Sequence, residues 1–578
     1  MKLNKIFIAA GIAAASLSMG SCVGDLDLLP TSPNDITPGT FPSDPKTYME
    51  QVIGFVYQDF ATYGYGTNND GSNILKTMDG GMSTFQRSVF ILNEIPTDEA
   101  NWLPSGDAVD PNFQYGIAPS NNGVVLGTYS RFMVNVALAN NFLQTDFGIG
   151  DNAELQTIHD EFARQARILR AGAYFYLIDA FGNVPYADES IPMGSVAPQL
   201  STNFAEGRRM VFDKVTEDLE NIVAWYKEND PNNRPPYGYV GLDVAESLLV
   251  KFYLNAEVYT GQARWADCYQ HAEAVIARLG KGGFTTSKGE QTGLCKGYHQ
   301  NFSYNNKDFS IGGKSEINEL IWNIPQESAA ISASGLGLKS YANGGFMCNA
   351  WIGDAPADKD FKCTQAEYNS GNGWKCMSAR TQFVEVFDWD DAAMSTSPDV
   401  RVKMWKTSKD GFNIQNGTFD QPSWGDNGYL AVKFSNWYIN DFNEIDEALS
   451  PAAVDPLGID YGMIRLAEIY LSAAEAALNG GGDASKALTY TNYIRERAGM
   501  DRYEQLNLTE LYNERQRELY TECGRRTDLI RYGKWISGYT WNWKYKVPTG
   551  TDYPANFTVY PLPQNVVDLN GYVQNPGY

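Results

Sequence analysis

Asp243–Thr260 reads DVAESLLVKFYLNAEVYT and Arg264–Leu279 reads RWADCYQHAEAVIARL, with Gly261 in the short turn between them. Apolar residues recur at spacings of three and four in both, the period of a helix with one buried face. Small residues (Ala245, Ala256, Ala272) alternate with large ones (Tyr253, Tyr259, Trp265, Tyr269). Small residues let two antiparallel helices approach and large ones fill the gap between pairs, the packing logic of tetratricopeptide repeats. The pattern returns at Met463–Leu478, the turn Asn479–Asp483 and Ala484–Ala498. The spacing predicts a mainly α protein on a tetratricopeptide-like scaffold of helical hairpins.

Working outward, Phe204–Lys227 is a further helix, and so are Tyr129–Phe147 and Glu154–Phe181. In the last, Phe162, Ala166, Leu169, Ala173, Tyr176 and Leu177 share one face, and Gly182-Asn183-Val184-Pro185 ends it. Tyr48–Tyr63 has helical periodicity. Asn68–Asp110 reads as a long loop around one apolar stretch, Phe85–Ile95. The Pro/Asn/Gly loop Asp230–Tyr239 separates an N-terminal part, 46–230, from a C-terminal part, 240–578, of a single domain spanning 46–578. Phe284–Phe442 breaks the helical pattern. It is rich in Gly, Asn, Ser, Trp and Lys, with short β-like runs such as Glu319–Ile324. A loop-rich insertion of that length on a helical scaffold is where function usually sits.

The first residues set the location. Lys2 and Lys5 precede the apolar run Ile6–Leu17, then Ser18-Met19-Gly20-Ser21 and Cys22. This is the order of a secretory signal peptide, residues 1–21. A Cys directly after the small residues resembles the lipobox of bacterial lipoproteins, in which that thiol is diacylated and becomes the mature N-terminus. Residues 22–45, rich in Pro, Thr, Ser and Asp, read as a tether between lipid and fold.

Without the two lysines of 1–21, 43 basic residues face 69 acidic ones, a charge of −26. Such a surface repels phosphates, so nucleic acid is not an expected partner. The three histidines, His159, His271 and His299, are scattered and no CxxC occurs, so neither a metal site nor a cofactor is expected. Beyond Cys22 stand Cys268, Cys295, Cys348, Cys363, Cys376 and Cys523, whose pairing spacing does not decide.

Four blocks together resemble the SusD/RagB family of Bacteroidetes outer-membrane lipoproteins. They are Glu161–Arg170 (EFARQARILR) with the exit Phe181–Pro185, and Ile464–Leu471 (IRLAEIYL) leading to Ala474-Glu475-Ala476. Then come Glu514–Tyr520 (ERQRELY) with Gly524–Gly533 (GRRTDLIRYG), and finally Tyr560–Pro563 with the ending Gln574–Tyr578. The third block also has a reading of its own. Its mixed Arg and carboxylate side chains beside Leu511, Leu519, Leu529 and Ile530 suit bidentate locks between helix ends, a structural role.

Within the family, the loops around Phe85–Phe90, Asn93–Glu99, Trp102 and Asn372–Arg380 are most similar to those of the starch-binding founding member. Trp541-Asn542-Trp543-Lys544 also resembles its C-terminal region. The resemblance implies that Arg87 donates to sugar hydroxyls, that Tyr341 and Trp374 are rings of an arc holding a glucan, and that Phe346 and Trp102 flank them. A second arc Trp falls at Pro104 here, and the neighbouring amide at Asp107. The chemistry suits a sugar: a ring covers the C–H face of a pyranose, and Arg, Asp and Asn bond its rim of hydroxyls. Trp322 reads as core, Trp351 and Trp424 as loop rings, and Trp389, Trp405 and Trp437 as undecided.

The resemblance implies a non-catalytic glycan-binding lipoprotein on the cell surface of the outer membrane. A starch-like α-glucan is the favoured ligand, and a TonB-dependent transporter the partner it covers as a lid. The alternatives are a lid for peptide uptake and a surface glycosidase. The latter needs carboxylates about 5 to 9 Å apart, and among the acids Asp98 and Glu99 are adjacent.

Cys22→Ala should release the protein from membranes and abolish incorporation of labelled fatty acid. Several acyl chains at about 0.8 kcal/mol per buried methylene are what would hold the wild type there.

Overall fold

In the computed structural model, which describes residues 44–62, 84–102, 112–328, 343–352, 363–374, 376–387, 398–401, 404–406, 429–455 and 457–578, most of the chain is helical. The signal segment, Cys22, nearly all of the tether, Asp107, Tyr341, Trp389 and Trp424 lie outside the described residues. In chain order come α1 (Pro45–Ala61), α2 (Phe85–Asn93), β1 (Ala100–Trp102), α3 (Gly123–Gln144), α4 (Ala153–Phe181) and α5 (Phe204–Asn229). Next are α6 (Leu242–Leu254), α7 (Ala256–Thr260), α8 (Trp265–Leu279), β2 (Leu320–Ile324), α9 (Asn343–Asn349), β3 (Met377–Ala379) and α10 (Thr381–Val386). The rest are β4 (Met404–Lys406), β5 (Tyr429–Ala431), β6 (Tyr461–Arg465), α11 (Leu466–Leu478), α12 (Ala484–Arg497), α13 (Leu508–Leu519), α14 (Arg525–Arg531) and α15 (Gln564–Asn570).

The chain falls into two compact units. The smaller joins residues up to Val52 with Asp146–Asp160. Within it Tyr48 meets Phe147 edge-to-face at 5.1 Å. The larger holds Ile53–Thr145 and Glu161–Tyr578.

Within the larger unit both predicted hairpins form: α6 packs on α8, and α11 on α12. They also stack on each other through α8 and α11, although an insertion separates them in sequence. Ala245, Ala256 and Ala272 are buried at the close approaches. The Gly-rich turn between α11 and α12 completes the stack, because a Cβ on Gly482 would overlap the ring of Tyr269. Two boundaries differ from the periodicity. The helix Asp243–Thr260 breaks at Asn255 into α6 and α7; Asn255 Oδ1 there accepts from Arg531 Nη1 at 2.8 Å. The segment from Met463 begins as strand, since Tyr461–Arg465 pairs antiparallel with Leu320–Ile324 before α11 starts at Leu466.

The insertion folds back onto the scaffold by that β2–β6 pair and by a four-stranded antiparallel sheet ordered β1-β3-β5-β4. Trp322 is core, as expected, and its indole lies against Gly172 of α4, where a Cβ would collide with the ring. Trp351, expected as a loop ring, is also core, because it follows α9 directly into the packed segment. All six cysteines after Cys22 are buried thiols. No helix among the described residues is long and apolar enough to cross a membrane.

The charged block of α13 and α14 is buried and paired. Arg525 grips Asp98 through Nε and Nη2, both at 2.7 Å. Arg515 grips Asp528 at 3.0 and 3.1 Å, and Arg531 holds Glu475 at 2.5 and 2.9 Å. Glu518 receives Arg497 Nη2 at 2.5 Å and Arg465 Nη1 at 3.2 Å, and both arginines also reach Glu319. Arg401 joins Asp399 and Glu514. The structural role read from the sequence is the one observed.

A second charged cluster binds α5, α6 and α8. His271 lies 3.1 Å from Glu220 Oε1 through Nε2 and 3.1 Å from Glu246 Oε1 through Nδ1. Lys227 and Arg278 also face Glu246, and Arg278 and Arg234 face Asp243. Burial pushes the imidazole down, but the two carboxylates outweigh it and raise its pKa to about 8. The unfolded value is near 6.5, so this contribution is fully present below about pH 6.5 and is lost as pH rises through the folded pKa. His271→Gln should therefore lower stability more at pH 6 than at pH 9, by about 1–2 kcal/mol in the difference of urea melts.

Candidate functional site

Thr84 caps α2 by accepting from Arg87 N at 3.1 Å, which sets Arg87 on the first turn. Its guanidinium carbon stands 4.5 Å from the centre of the Phe346 ring and 5.3 Å from that of Trp102. Phe346, on α9, stacks on Trp102 with centroids 6.2 Å apart and meets Trp374 at 6.1 Å and an interplanar angle of 38°. Trp102 ends β1, opposite Met377 of β3. Trp374 precedes β3 in a segment fastened to α9: Trp374 N donates to Asn349 O at 2.8 Å, Cys376 N to Ala350 O at 2.9 Å, and Ser370 Oγ to Asn349 Oδ1 at 2.7 Å. Four predicted site residues, remote in sequence, thus form one cluster.

Of these four, Trp374 alone is half-buried; Arg87, which the resemblance sets against sugar hydroxyls, is not at the surface. Arg87 is 3% exposed, Trp102 4% and Phe346 0%. The reason is that Phe85–Asn93 is a helix buried on all sides against α3 and α14, which the surrounding Gly and Asn residues conceal in the sequence. The arrangement is a cation set against two ring faces, a contact worth about 0.5–2 kcal/mol, with a third ring at its outer edge. It holds the Trp374 indole, half-buried, at the edge of the cluster. Among the described residues no group of His, Cys, Asp and Glu converges as a metal site.

The SusD-family model matches residues 339–578. The chain is 27% identical to the starch-binding protein SusD of Bacteroides thetaiotaomicron over 100% of its own length and 99% of that protein's. Residues 339–578 thus carry the SusD-family pattern, and the likeness to SusD runs the length of the chain. It is also 22% identical to SusD-like protein P2 of Formosa agariphila, covering 81% of this chain and 83% of that one. Among solved structures, surface glycan-binding protein A from B. thetaiotaomicron in complex with laminarihexaose superposes with a TM-score of 0.58 at 17% identity, over 92% of this chain and 99% of that one. A laminarin-binding SusD-like protein does so with 0.59 at 19%, over 92% and 99%. At those identities the likeness is one of fold.

The adjacent acids Asp98 and Glu99 are buried and engaged. Asp98 is held by Arg525 and accepts from Tyr539 OH at 2.8 Å. Burial pushes its carboxyl up, yet the Arg525 fork outweighs that and holds it below the ordinary range. Thr521 N donates to Glu94 Oε1 at 3.0 Å and to Glu99 Oε2 at 3.2 Å. Burial raises Glu99, and raises Glu94 further because Glu99 lies beside it. These carboxyls anchor the stretch that leads into Trp102.

A residue whose role the sequence does not disclose is Arg380. Its Nε donates to Ala100 O at 3.0 Å, Nη2 to Gln114 O at 2.9 Å and Nη1 to Asn542 O, and its N donates to Glu99 O at 2.8 Å. Burial pulls its pKa down to about 10. One guanidinium thus fixes residues on either side of 103–111, the stretch that carries Asp107, and ties both to the Trp541–Trp543 motif. Only the adjacency of Ala379-Arg380 to the ring loop hinted at this. Arg380→Ala leaves three carbonyls without their donor, so it should cost about 3 kcal/mol in urea melts. Arg380→Lys should recover part of that, and hydrogen exchange at residues 100–102 should quicken in both.

Proposed function

We propose that this chain is a non-catalytic, lipid-anchored glycan-binding protein of the cell surface, which captures oligo- or polysaccharide for a TonB-dependent outer-membrane transporter. A starch-like α-glucan is the first candidate ligand. The observation that carries the reading is the Trp374 ring, part-exposed beside a charged and aromatic backing of Arg87, Phe346 and Trp102. An indole held in this way offers a flat apolar surface with a negative face, which suits the C–H face of a pyranose. Support also comes from relatives: one is named for starch and two solved structures for laminarin or laminarihexaose, all built of glucose. On this reading Tyr341 and Asp107 complete the contact, and the buried Arg87 fixes the rings.

Affinity electrophoresis against a glycan panel that includes starch and laminarin should show retardation. Trp374→Ala should weaken it at least roughly tenfold, because a ring at the centre of a contact is worth about 2 kcal/mol. The thermal midpoint should fall by only a few degrees, since the side chain is not core. Retardation unchanged by Trp374→Ala, or release of reducing sugar by the purified protein, would overturn the reading.

A further inference from the structure

Aromatic side chains also gather away from the ring cluster. A cleft of about 300 Å³ lies between the C-terminal half of α1 and the turn Tyr237-Gly238-Tyr239, with Trp322 among its lining. From α1 it takes Gly54, Tyr57, Gln58 and Ala61, which at offsets of three, four and seven share one helix face. The rings of Tyr57 and Tyr239 stand 5.1 Å apart at 58°.

Three features narrow the ligand. No Asp, Glu, Lys or Arg lines the cleft, in a chain where one residue in five is charged, so an ion finds no counter-charge there. Two of the three tyrosine rings are locked: Tyr57 OH donates to Gln165 Oε1 at 2.8 Å and accepts from Val240 N at 3.0 Å, and Tyr237 OH donates to Asp460 Oδ2. Fixed ring faces lower the ordering cost of binding. The Gln58 carboxamide makes no hydrogen bond among the described residues, so a donor and an acceptor stand ready beside the rings. Flat apolar faces, one free amide and no charge fit a neutral polyhydroxylated ring, and the volume lies at the small end of the range for ligand sites.

We propose that this cleft is a second sugar subsite, which takes one pyranose unit of the same glucan class as the Trp374 cluster; it rests on the glycan-binding role proposed for that cluster. Phe60, a lining residue, meets Phe85 of α2 at 4.3 Å, two residues before Arg87, so the two sites share a packed wall. Two weak sites on one chain of sugars raise avidity for long glycans over short ones.

The test uses Gly54. A Cβ built there meets nothing within 4 Å, so Gly54→Leu starts into open space, occupies the cleft with its branched end and favours the helix. Saturation-transfer NMR with maltohexaose and laminarihexaose would be recorded on the wild type, on Trp374→Ala, and on Trp374→Ala carrying either Gly54→Leu or Tyr239→Ala. Tyr239 is 38% exposed and supports little core. Trp374→Ala should keep a weak signal with at least one hexaose, and both second substitutions should abolish it at unchanged thermal midpoint. A Trp374→Ala protein with no signal, or one whose signal survives both second substitutions, overturns the subsite and leaves the Trp374 reading standing. A wild type that gives no signal with either hexaose overturns both.

Discussion

Glu518 and its arginines are the constraint around which the rest is arranged. Its carboxylate, on α13, takes Arg497 from α12 and Arg465 from β6, and those two also hold Glu319 at the start of β2. Four charges from four separated segments are therefore removed from water together. Each would cost several kcal/mol if left alone, so the group is tolerable only when complete. Hydrophobic contacts would accept small shifts of these segments; buried charge-assisted hydrogen bonds do not. The network thus dictates register between scaffold and insertion, and β2 can pair with β6 in one alignment only.

The same device extends towards the ring cluster. Arg525 reaches from α14 to Asp98, two residues before Ala100, whose carbonyl Arg380 holds. Trp102 is positioned by cations at both levels, and Arg87 sets a third against its ring. An aromatic surface for a weakly bound neutral ligand profits from such stiffness, since every rotamer frozen on binding subtracts from a small gain.

The sequence discloses this architecture unevenly. The hairpins are legible because small–large alternation at helical spacing has one physical solution. The structural role of the block from Glu514 to Arg531 is legible because forks and carboxylates interleaved beside leucines have few uses other than mutual burial. Proximity of Arg87, Trp102, Phe346 and Trp374 came from resemblance, and no local pattern links them. Their burial was not legible: Arg87 lies in a stretch flanked by Gly and Asn, and only the packing of α2 on α3 and α14 shows that its helix has no solvent side. Arg380 was silent for a different reason. Its partners are backbone carbonyls, which every residue type supplies equally.

The stacking of α8 on α11 has a kinetic meaning. The two helices meet across almost two hundred residues of chain, so the scaffold is a long-range contact although each hairpin is local. The first hairpin can form early, but its outer face has no cover until the second arrives. Through that interval the insertion must neither collapse on the face nor pair its short strands with another molecule. Loop-closure entropy makes this the slow step. A chain of this design therefore spends its most vulnerable moments with half a scaffold, and a chaperone that shields α8 would act at that stage.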